Sequence, residues 1–123
     1  MNKADIDPQT RKEIIEYLSL EEEDFYPILG AYSAAQGTLF SPRGQIEAGK
    51  RYFSSIRHDL HQKICVEWNL CAKIADPRWG DGVQLAAVLG DIVSTVAVGV
   101  PPLIIASLIV KIGVRSFCSC TNT

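Results

Sequence analysis

His58, His61 and Cys65 are the residues in this chain best placed to do chemistry. Spacings of three and four set them on one face of a helix, the arrangement by which imidazole and thiolate groups hold zinc, with Cys118 and Cys120 able to complete the set. No standard zinc module has this spacing, and Arg57, Asp59 and Lys63 beside the histidines mark a wet face. Ordinary surface histidines are therefore expected, with no metal and no other cofactor. Cys65 and His61, one turn apart, also resemble an activated nucleophile and its base. An exposed helix face lacks the walled pocket such a pair needs. With no Gly-x-Ser-x-Gly elbow and no His-Glu-x-x-His in the chain, the expectation is a protein with no catalytic residues and no small-molecule substrate, not an enzyme.

The segment Gly44 to Arg51 has the spacing of a phosphate-binding loop up to its last position, where Arg51 replaces the Ser or Thr that would ligate magnesium. Thr38-Leu39-Phe40 is too short to be the buried strand that loop requires. The segment reads better as the first turns of a helix. Cys71 falls in an apolar helical stripe and reads as a core thiol. Cys118-Ser119-Cys120 sits in a polar tail behind a basic residue, a setting for lipidation or a redox switch and by default a free tail. The N-terminal residues show no apolar signal core, so the 4 cysteines are expected as reduced thiols in a cytoplasmic protein, with membrane association as the variant.

These side chains need helices to position them, and the most telling stretch is Val83 to Val110, whose only charge is Asp91. Gly99-Val100-Pro101-Pro102 divides it. Proline ends the first helix and can open the second, which predicts an apolar hairpin with arms at 83–98 and 102–115. Gln84, Asp91 and Thr95 form a polar stripe on one arm, and Ser107, Lys111 and Arg115 on the other. Folding about the prolines sets Asp91 level with Lys111, so an ion pair between them is expected.

Upstream, Asp7-Pro8 and Ser41-Pro42 are helix starts, an N-cap followed by proline at the first helical position. Ser19 and Glu22 have capping-box spacing, but Pro27 favours a second helix beginning at Asp24 and running to about Ala35. Ile46, Phe53, Ile56, Leu60, Ile64, Trp68, Cys71 and Ala75 trace one face of a long amphipathic helix over 42–75, with Gly49 its expected weak point. Asp76 to Gly82 is turn-rich. Acidic residues crowd 1–24 and basic ones 43–73 around a net charge of −2, which leaves no overall field for nucleic acid.

The 123 residues are therefore expected to form one all-α domain, a compact bundle of four to five helices. Its parts are acidic N-terminal helices over 1–37, the long helix over 42–75, the hairpin over 83–115 and a cysteine-bearing tail over 116–123. The expected function is a small non-enzymatic interaction or regulatory module that binds a protein partner or self-associates, with Trp79, Asp91, Lys111 and Arg115 as contact residues. The alternative is a membrane-active protein, pore-forming, holin-like or effector-like, whose hairpin inserts in a bilayer.

Overall fold

The computed structural model describes residues 6–33 and 41–120. Among them are seven α-helices, a π-helical stretch and a 3-10 turn, with no strand. The fold is all-α as expected, but its helices are shorter and more numerous.

Helix α1 (Pro8–Leu18) starts where Asp7 accepts the Gln9 and Thr10 amides at 3.1 Å each. Its end differs from expectation. Ser19 donates its hydroxyl to the Glu16 carbonyl at 2.6 Å, so it closes α1 and does not cap the next helix. Asp24 takes that part, accepting the Glu21 amide at 2.9 Å, and α2 (Glu22–Ser33) begins two residues earlier than predicted with Pro27 inside it. Proline there removes only the bond to the Glu23 carbonyl, which belongs to an exposed first turn that water can serve. The expected end near Ala35 and Gly37 lies outside the described residues.

Helix α3 (Pro42–His61) is capped by the Ser41 hydroxyl, which accepts the Gly44 amide at 3.0 Å. It lies antiparallel against α2 in backbone contact. A Cβ on Gly30 would fall on the Gln45 carbonyl, and a Cβ on Gly49 on the Tyr26 carbonyl, each 3.0 Å from the facing Cα. Gly49 is thus a point of closest approach and not a break.

The helix expected over 42–75 gives way further on. From Gln62 to Glu67 the turns widen to π geometry, and the Trp68 amide donates to the Lys63 carbonyl at 3.0 Å. Asn69 then takes a left-handed conformation at φ 60°, which asparagine tolerates better than most residues, and α4 (Leu70–Lys73) leaves in a new direction. A 3-10 turn (Pro77–Trp79) follows.

Two helices occupy the apolar stretch, α5 (Val83–Val93) and α6 (Pro102–Ile112). The first arm stops short of residue 98 because Ser94 and Thr95 turn their hydroxyls back onto the Asp91 and Ile92 carbonyls at 2.7 Å. The second stops short of 115 because Gly113, at φ +106°, breaks it before α7 (Val114–Cys118). Helix α6 is the centre of the molecule, with every residue from Ile104 to Ile109 buried. Helices α1, α2, α5 and α7 pack around it. Of the segment expected as a polar tail, Phe117 and Cys118 are part of this packing and buried.

Within α6, Ser107 is wholly buried and its hydroxyl has no hydrogen-bond partner among the described residues. Desolvating that oxygen costs energy that no bond returns, and alanine is the better helix former. Ser107→Ala should therefore raise stability by about 1 kcal/mol in urea unfolding. A loss of similar size would show that the hydroxyl is bonded after all.

Candidate binding cleft

The break after α3 does more than end a helix. It brings Trp68, at the close of the π-helical stretch, against Trp79, at the close of the 3-10 turn. Their ring centroids are 5.8 Å apart at an interplanar angle of 70°, the edge-to-face arrangement that ring quadrupoles favour. Each ring carries a cation. Lys73 Nζ lies 5.2 Å from the Trp68 centroid and donates to the Trp68 carbonyl at 2.6 Å. Arg78 Cζ lies 5.3 Å from the Trp79 centroid. Asp76 steers that arginine, accepting from its Nε at 3.1 Å and from its amide at 3.0 Å. Ala72 and Val88 complete a cleft of about 430 Å³.

Trp68 also lines a second groove of about 380 Å³, with Lys63, Glu67, Asp91, Ile92 and Thr95. Lys63 and Glu67 pair across one turn at 3.7 Å, with both side chains exposed. The Asp91 carboxylate is exposed and has no ion-pair partner among the described residues. Trp68 is thus a ridge between a cationic cleft and a groove with an acidic wall.

The expected contact residues are not brought to one place. Trp79 lines the cleft but is mostly buried, and Asp91 lines the second groove. Lys111 does not pair with Asp91. Its Nζ reaches the Leu18 carbonyl at 3.0 Å, a cation at the C-terminal end of α1. Early closure of α5 removes the symmetry on which the expected ion pair depended. Arg115 is exposed in a third depression, with Gly113, Asp81 and Ser116. Sequence reasoning missed Lys73, Arg78, Ala72 and Val88, and it placed Trp68 on the core-facing stripe, where the ring does pack against the core while also lining the cleft.

The cysteines require a correction. Cys65 bonds to Cys118 and Cys71 to Cys120, so they are not the free thiols expected, and Cys71 is an exposed disulfide partner and not a core thiol. The cause is α7, which folds back and meets α4. Bonded sulfurs cannot complete a zinc site with His58 and His61. No group of three or more His, Cys, Asp or Glu side chains is gathered for a metal among the described residues. His58 is exposed, and the His61 ring lies 6.3 Å from that of Phe117. Gly44 to Arg51 lies within α3, not in a phosphate loop. On α2, burial and then a 2.9 Å bond to Glu22 Oε2 push the Tyr26 phenol up to about 12.

No family model, no curated protein and no solved structure matches this chain.

Proposed function

We propose that this protein is a non-enzymatic binding module whose helical body presents the Trp68 ridge and its two flanking grooves to a protein partner. The observation that carries the reading is the company Trp68 keeps. A half-buried tryptophan with a lysine over its ring, an arginine in the same cleft and a second groove against it has the composition of an interface hot spot. Both bridges anchor the segments that build the ridge, since Cys65 lies in the π-helical stretch and Cys71 next to Ala72. A pre-ordered surface loses less entropy on binding. The same bridges weigh against a reducing cytosol as the place where this form persists.

The membrane-active alternative has less in its favour. The apolar surface of α6 is already covered by neighbouring helices, and no helix among the described residues is long and apolar enough to cross a membrane. The test is affinity capture with the immobilised oxidised protein, comparing wild type with Trp68→Ala, Lys73→Glu and the distant control Arg51→Ala. A partner retained by wild type and the control but depleted about tenfold by both ridge variants is the expected result. Identical capture by all four proteins, or nothing captured above background, would sink the reading.

A further inference from the structure

The chemistry of the two grooves specifies more than a generic partner. We infer that the cleft receives the C-terminal residue of a partner polypeptide, its terminal carboxylate between Lys73 and Arg78 and its apolar side chain against Trp68 and Trp79. This rests on the reading of the ridge as a binding surface and deepens it.

The argument begins with unused donors. Lys73 carries three N–H groups, and one is spent on the Trp68 carbonyl. Arg78 gives its Nε and one terminal nitrogen to Asp76, leaving the other nitrogen for an incoming acceptor. Two cations lining one cleft, with one carboxylate among them already engaged by the arginine, favour an anion. The rest of the lining is apolar: two indole rings, Ala72 and Val88. A carboxylate with an apolar group one carbon removed satisfies both parts. The cleft, at about 430 Å³, has the scale of a site for one large residue.

The second groove identifies the ligand as a chain and not a free acid. It shares Trp68 with the cleft, so residues preceding the terminus would pass over that ring to enter it. There Ile92 and Thr95 offer a mixed wall, and Asp91 offers an uncompensated carboxylate. Asp91 fits a lysine or arginine upstream of the terminus. A free small acid would leave this second groove unused.

The measurement is direct because Trp68 and Trp79 are the 2 tryptophans of the protein, so its indole fluorescence reports the cleft and the groove that shares Trp68 with it. The probes are an acetylated peptide ending Lys-Ser-Ala-Phe as the free acid, its C-terminal amide, the free acid with the lysine replaced by glutamate, and phenylacetate. The free acid should bind about tenfold more tightly than the amide, as expected for charge-assisted contacts made partly in water. The glutamate peptide should bind several-fold more weakly. Arg78→Gln should shrink the difference between acid and amide, Lys73→Gln with Arg78→Gln should erase it, and Ala72→Phe, which fills the cleft from an exposed position, should abolish binding with the helical circular dichroism unchanged. Acid and amide binding alike, no binding of either, or phenylacetate binding as tightly as the peptide would each overturn the inference. In the first of these cases, a captured partner that still depends on Trp68 would leave the module reading standing. Loss of that dependence would remove both.

Discussion

Replacing both Gly30 and Gly49 with alanine should cost about 4 kcal/mol of stability, although each change alone puts a better helix former into a helix. The two effects have opposite signs, and their sizes decide the outcome. Alanine for glycine inside a helix is favourable by about 1 kcal/mol. Here, however, each new methyl would overlap a carbonyl of the opposite helix, Gln45 in one case and Tyr26 in the other. A flexible side chain could swing aside, but backbone cannot. The pair must separate or tilt, which disturbs contacts along the whole crossing, and overpacking of this kind costs about 3 kcal/mol per site. The net loss is about 2 kcal/mol for each single variant. Urea unfolding followed by far-ultraviolet circular dichroism measures it. A rise in midpoint for either single variant would mean that propensity wins and that the helices do not touch at these points.

The same glycines show what the sequence could and could not reveal. Asp7-Pro8 and Ser41-Pro42 were legible as helix starts because a cap is local, made by one side chain and the amides two or three residues on. Gly49 was misread because a pattern along one helix does not say what lies against it, so a glycine that permits contact looks like one that weakens a helix. The apolar stripe likewise runs unbroken from Ile46 to Cys71, and nothing in it marks Asn69 as the residue that adopts a left-handed conformation. That single reversal separates a long rod from a bent one, and it creates the meeting of Trp68 with Trp79. The candidate cleft was therefore invisible in the sequence even though both tryptophans were singled out. That two helices flank the paired prolines of the apolar stretch was visible, but not where each helix ends, which follows from the hydroxyls of Ser94 and Thr95 and from Gly113.

Removing both disulfides should cost about 6 kcal/mol, while removing either alone should cost only about 2 kcal/mol. The inequality follows from topology. Cys65–Cys118 spans 53 residues and Cys71–Cys120 spans 49, and the loops almost coincide. Closing the first restricts the unfolded chain by about 4 kcal/mol in the chain-entropy account. Once it is closed, the second joins segments already held close together, and only a short ring remains to be restricted. Either bridge can therefore stand in for the other, and the double variant loses far more than twice the single loss. The order of reduction should follow access, since Cys71 is exposed whereas Cys118 is 7% exposed, so a mild reductant should open Cys71–Cys120 first. Cys71→Ser with Cys120→Ser, Cys65→Ala with Cys118→Ala, and the fourfold variant, compared by urea unfolding, supply the three values. Equal, additive losses would show that the two bridges restrain independent parts of the chain. That would contradict a C-terminal segment held to the π-helical stretch and to α4 by two adjacent links.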